Sequence, residues 1–194
     1  MGGLRNERHA DLAILWWCLL FCGLAIVKTS DKGIHLMHEF EGYRDRPYLC
    51  PAHLWTVGWG EVLYQSQIKL PMVRKDGYAG LIRKEYPLAP EHNRVWTKAE
   101  LEERFKNLLV SFERGVLRLA PSLSGNQGLF DACVALSYNI GVGGFQRSTL
   151  RQRILRDDSL ESIAEGFMRY TMGGGKVLPG LVRRRKAEVA LFLK

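Results

Sequence analysis

The sequence predicts an α+β chain, a small sheet unit followed by a helical bundle. Residues 43–62 alternate turn formers with aromatics, the pattern of short antiparallel strands. From Thr97 onward, apolar residues recur at helical spacing in one segment after another. Three of those segments open on Ser or Thr, and Pro121 and Gly141 interrupt the pattern. A length of 194 residues suits one such domain, and 46% hydrophobic with 25% charged residues supports a folded core over disorder.

Each element has its own reason. Residues 12–27, "LAILWWCLLFCGLAIV", are apolar without a break, follow Arg5 and Arg8, and end at Lys28. As a helix they would reach about 24 Å, short of a hydrocarbon core of about 30 Å. They predict an N-terminal apolar helix serving as a signal peptide or a marginal membrane anchor. Ser30 or Asp31 caps a helix from about Lys32, with Ile34, Leu36, Met37 and Phe40 on its apolar side, and Gly42 ends it. Residues 43–62 form a hairpin or three strands. Residues 63–95 carry several prolines and read as a loop-rich insertion with one short helix.

"TKAE" is a capping box, Thr97 with Glu100, and starts a helix to about Leu119, broken by Pro121 and Ser122. Leu129, Phe130, Cys133, Leu136 and Ile140 are spaced for a buried helix stopped by Gly141, Gly143 and Gly144. "STLRQRILRD" and "SLESIAEGFMRYTM" give two more, each opened by Ser. "GGGK" at 173–176 is a flexible turn, and Pro179 begins the last helix. The division is residues 1–29 as leader or anchor and 30–194 as one folded domain: helix and sheet at 30–62, insertion at 63–95, helical lobe at 96–194.

A net charge of +8 and a pI near 9.5 favour anionic partners such as a wall polymer or a membrane surface. No nucleic-acid motif is present. The run Arg183–Lys186 lies inside an apolar-periodic segment and reads as one face of a helix. The four cysteines Cys18, Cys22, Cys50 and Cys133 lack the spacing of metal ligands, so no metal and no cofactor is expected.

The chemistry concentrates in "HEFEGYRDRPYLCPAHLWTVGWG", residues 38–60. On an ideal helix Glu41 lies about 65° from the apolar centre and Glu39 about 135° away. Glu39 therefore faces water, while Glu41 is drawn to the core edge where helix meets sheet. A carboxyl half-removed from water favours its neutral form, which suits a general acid. Pairing with Arg44 or Arg46 is the plainer reading of the same residue.

Glu41, Cys50 and Thr56 also follow the pattern E-x8-C-x5-T. With "ALSYNIGVGGF" at 135–145 and "GGGKVLPGLVRRRKAEVALFL" at 173–193, the chain resembles the phage lysozyme (endolysin) family of glycoside hydrolases, possessing their three blocks in order across most of 33–194. The resemblance implies a lysozyme-like fold with a saccharide cleft between sheet and helical lobe. It implies a muramidase that cuts the β-1,4 bond between N-acetylmuramic acid and N-acetylglucosamine in peptidoglycan during host lysis. Glu41 would be the proton donor. Cys50 would stand where many relatives carry Asp, and Thr56 would position the attacking water. Tyr138 and Thr149 would line the cleft. One departure is Glu61, where relatives commonly have His, and it implies altered local electrostatics.

A thiol of ordinary pKa near 8.5 is mostly neutral unless cations lower it. Cys50 as a thiolate, Cys50 as a nucleophile, and Thr56 with water therefore stay open, as does retention against inversion. The resemblance further implies a monomer exported to the host periplasm. Residues 12–27 would first tether it to the host inner membrane as a signal-anchor. There Cys18 or Cys22 could exchange disulfides with Cys50. The rival readings are a lytic transglycosylase, a membrane-disrupting lysis protein and a catalytically silent wall-binding module.

Overall fold

A computed structural model of the chain describes residues 27–74 and 80–193. The expected N-terminal apolar helix, its membrane role and the exchange involving Cys18 or Cys22 lie outside the described residues. Among the described residues, no helix is long and apolar enough to cross a membrane.

The first helix, α1 (Asp31–Phe40), is capped by Ser30, whose hydroxyl accepts from the Gly33 amide. Leu36 and Met37 on its inner face are buried. The chain just before it is held firmly. The Thr29 amide and hydroxyl both donate to Glu113 Oε1, at 2.7 and 2.8 Å. Ser30 donates through its amide and its hydroxyl to the two oxygens of Asp131. Gly33 is required here, because a Cβ would lie 2.8 Å from Thr29 Cγ2 and 2.9 Å from Asp131 Cβ. The helix backbone thus sits directly on the residues that clamp it.

The sheet has three antiparallel strands in sequence order, β1 (Arg44–Leu49), β2 (Trp55–Gly58) and β3 (Glu61–Val62). Tyr48 faces Thr56 across the first pair, and Val57 faces Glu61 across the second. The insertion contains the expected short helix, α2 (Gln65–Ile68), and also a hairpin that the sequence reading did not foresee, β4 (Met72–Arg74) with β5 (Leu81–Arg83). Strands of three residues with only Ile82 buried leave no periodicity to detect.

The helical lobe is built on α3 (Lys98–Leu119), whose N-terminus carries the complete Thr97/Glu100 capping box. A 3₁₀ turn (Pro121–Gly125) leads into α4 (Gln127–Ile140), the central helix, with residues from Leu129 to Ser137 all buried. Gly141, at φ +79°, ends α4 by itself; Gly143 and Gly144, expected to act as stops, instead belong to the short α5 (Val142–Gln146). Next come α6 (Thr149–Leu155) and α7 (Leu160–Met168), capped by Ser148 and Ser159 as their sequences require. "GGGK" is the turn of a small hairpin, β6 (Met172–Gly173) with β7 (Lys176–Val177), in which Gly174 and Gly175 supply positive φ. The last helix is α8 (Pro179–Val189).

One core joins α1, the sheet, α3, α4 and α5 to α8, with Phe105, Phe130, Phe145 and Phe167 fully buried. Arg184 and Arg185 are buried in it too, at 4% and 0% exposure. The basic run therefore does not form a single solvated helix face. Its two inner members belong to an ion-pair cluster, and only Arg183 and Lys186 face water.

Candidate active site

Glu41 stands at the hinge between helix and sheet. It is the C-terminal cap of α1, with its amide donating to Met37 O at 3.0 Å and its backbone already extended. That turn out of the helix carries the side chain off the α1 surface and towards the helical lobe. Glu39, one helical step earlier, is exposed as expected.

The carboxyl of Glu41 is partly buried, at 22% side-chain exposure. Its partner is neither Arg44 nor Arg46, both exposed. Arg184 Nη1 on α8 donates to Glu41 Oε1 at 2.7 Å. The carboxyl is therefore not isolated, and its charged partner is one that the local sequence does not name. Glu41 shares its surroundings with a guanidinium delivered from the other end of the chain.

Arg184 is itself fixed from behind. Its Nε donates to Glu188 Oε1 at 3.2 Å and its Nη2 to Ala135 O at 3.3 Å. Arg185 Nη2 donates to the same Glu188 oxygen at 2.7 Å and to Asn139 Oδ1 at 3.3 Å. Burial pushes the Glu188 carboxyl up to about 7 against the pull of both arginines. Sequence held one signal for this cluster: Arg184 and Glu188 occupy the same stripe of α8 as Leu181, a stripe that Leu191 continues just past the helix, where apolar residues would be expected.

Glu41 opens onto a groove of about 520 Å³ between sheet and helical lobe. Gly60, Val62, Phe112, Tyr138 and Asn139 line it with Glu41. Gly60, at φ +93°, brings backbone close to the acid: a Cβ there would stand 3.9 Å from Glu41 Oε2 and 3.7 Å from the Tyr138 hydroxyl. Tyr138 donates to Trp59 O at 2.9 Å and so ties α4 to the sheet; burial pushes its phenol up far beyond the titrating range.

Cys50 follows β1 and opens the turn into β2, its amide donating to Leu54 O at 3.0 Å. It is half-buried, and its thiol is free. Thr56 is buried in β2, with its hydroxyl donating to Leu54 O at 2.9 Å. Tyr48 links these positions: it sits across from Thr56, two residues before Cys50, and burial raises its phenol with Arg44 opposing. Of the five residues named from sequence, Glu41 and Tyr138 line the groove. Cys50 and Thr56 border Tyr48 at the sheet and do not line it, and Thr149 is exposed at the start of α6.

Glu61 lies at the start of β3, beside the groove-lining Gly60 and Val62. It is 3% exposed, and Arg104 Nε approaches its Oε2 at 3.3 Å while Oε1 has no partner. Burial pushes this carboxyl up from 4.5 to about 7, with Arg104 opposing. Because the folded value lies above the unfolded one, the folded protein retains a proton between about pH 4.5 and 7 that the unfolded chain has released. Stability therefore falls as pH rises through that window. Glu61→Gln removes the titration. Urea melts are expected to show the stability difference between pH 5 and pH 8 shrinking by about 2 kcal/mol; an unchanged difference would show that Arg104 fully compensates the charge.

An acid poised on a groove between a small sheet and a helical lobe is the arrangement of a lysozyme-like fold. The chain belongs to the phage lysozyme family, whose model matches residues 38–188. It is 30% identical over 169 residues to an endolysin of Bacillus phage B103, covering 86% of this chain. The chain spans about half, 54%, of that relative's length. A SAR-endolysin of Haemophilus phage HP1 is 26% identical over 176 residues, covering 86% of this chain and 81% of its own. The muramidase domain of SpmX from Asticaccaulis excentricus shares the fold, with a TM-score of 0.64 at 24% identity over 86% of this chain and 98% of that one.

Proposed function

We propose that the protein is a phage muramidase that hydrolyses the β-1,4 bond between N-acetylmuramic acid and N-acetylglucosamine in host peptidoglycan. The observation that carries this reading is Glu41: a carboxyl at the edge of a groove large enough for sugar rings, backed by a fixed cation. Relatives named endolysin and SAR-endolysin support a role in host lysis, with action in the periplasm after tethering at the inner membrane.

Glu41 donates its proton to the glycosidic oxygen. The carboxylate left behind is met by Arg184 at 2.7 Å, so the charge created on the acid is neutralised without rearrangement. Positive charge then develops on the muramic acid ring. Cys50, in the position of a familial carboxylate, meets that charge as a thiolate or holds water beside it. Thr56, buried in β2 behind the groove, gives its own hydrogen to Leu54 O and positions the attacking water, whose second proton leaves to bulk water. Tyr138 serves the saccharide from within the groove, and Thr149, exposed at the start of α6, is assigned to the saccharide by the family pattern alone.

Digestion of purified peptidoglycan by the full chain, with the new ends identified by mass spectrometry, tests the proposal. Reducing muramic acid ends are expected. Anhydro-muramic acid ends would assign a lytic transglycosylase instead, and intact glycan would leave a binding module. Cys50→Asp is expected to keep cutting wall and to lose inhibition by thiol-alkylating reagents. An inert but folded Cys50→Asp protein would remove Cys50 from the reaction.

A further inference from the structure

The groove at Glu41 does not end at its own walls. A second recess of about 270 Å³ adjoins it and shares Val62, Gln65 and Leu108 with it. Its remaining lining includes Glu61, Arg104 and Asn107. Arg104 is a third exposed, held from behind by Glu61 at 3.3 Å and flanked by the Trp96 ring at 5.1 Å. Its Nη1 and Nη2 make no hydrogen bond to a described residue. A guanidinium that lines a recess beside a counter-charge, with no hydrogen bond from its terminal nitrogens among the described residues, is set up to take a planar anion through two parallel hydrogen bonds.

We infer that the recess is a subsite for a carboxylate of the stem peptide carried by muramic acid, with Arg104 as its anchor and Asn107 and Gln65 as amide partners. The inference rests on the muramidase reading, because it assigns the groove at Glu41 to the sugar. It then follows from connectivity. Muramic acid bears its peptide on the lactyl group, so a sugar in the first groove must send that peptide to one side. The recess is the adjoining space that offers a cation. Trp96 and Glu61 fix Arg104 before the ligand arrives, so little side-chain freedom is lost on binding. Glu61 is the one acid lining the recess, and it faces Arg104 at Nε, away from the two terminal nitrogens.

The test compares binding of two soluble probes to the full chain by calorimetry: a muropeptide, disaccharide with tetrapeptide, and the same disaccharide without peptide. The muropeptide is expected to bind at least about tenfold more tightly, the size of one charge-assisted hydrogen bond. Arg104→Gln is expected to bring the two affinities together, and Arg104→Lys to restore part of the gap. Urea melts of both variants separate a lost contact from a lost fold. Equal affinities in the wild type, or a gap that survives in a folded Arg104→Gln protein, overturn the subsite and leave the muramidase reading intact. A wild-type protein that binds neither probe overturns both.

Discussion

Glu188→Ala is expected to destabilise the protein by about 3–5 kcal/mol, the cost of breaking a buried ion pair by removing one partner. Glu188 is fully buried, and a single one of its oxygens accepts from both Arg184 and Arg185. Without it, Arg184 keeps Glu41, at the rim of the groove, while Arg185 keeps only the Asn139 side chain. Arg185 is already strained electrostatically: burial pulls its guanidinium below the usual range, and two of its nitrogens have no partner. Removing its counter-charge turns a tolerated burial into an uncompensated one. Glu188→Gln should cost less, since an amide oxygen accepts one bond at similar volume. Urea midpoints at pH 7 measure both. A loss under about 1 kcal/mol for the alanine variant would mean that the cluster relaxes into contact with water.

The same cluster explains why part of the site was legible in sequence and part was not. Glu41 was singled out by local geometry, because helix periodicity assigns a face to every residue of α1 and Gly42 marks its end. The order of strands and helices was equally local: capping residues Ser30, Thr97, Ser148 and Ser159 each sit where an exposed helix terminus needs an acceptor. Arg184 is separated from Glu41 by 143 positions, and no local rule couples them. Local sequence therefore shows the burial of the acid and not the guanidinium that faces it. The β4–β5 and β6–β7 hairpins escaped for a different reason, since strands of two or three residues hold less than one full alternation. Tyr138 entered through the family pattern and lines the groove. Thr149 entered the same way and stands outside it.

Glu41→Gln is expected to lower the rate of peptidoglycan cleavage by about 10²–10⁴-fold, the usual span for loss of a positioned general acid. The substitution keeps shape: a glutamine carbonyl can still accept from Arg184 Nη1, and the groove keeps its volume. What disappears is the proton for the leaving oxygen, and with it the ion pair that forms when the proton departs. The contact with Arg184 is also part of the fold, so stability has to be read alongside rate. Glu41 is the outer, partly solvated end of the cluster, whereas Glu188 is its buried centre. Replacing the carboxyl at Glu41 should therefore cost no more than about 1.5–3 kcal/mol, the range for a hydrogen bond to a charged group. That separation makes the variant informative: a folded protein with a collapsed rate assigns Glu41 the proton, while a folded protein that still releases reducing ends at the wild-type rate removes Glu41 as the acid and returns the arginine cluster to a purely structural role.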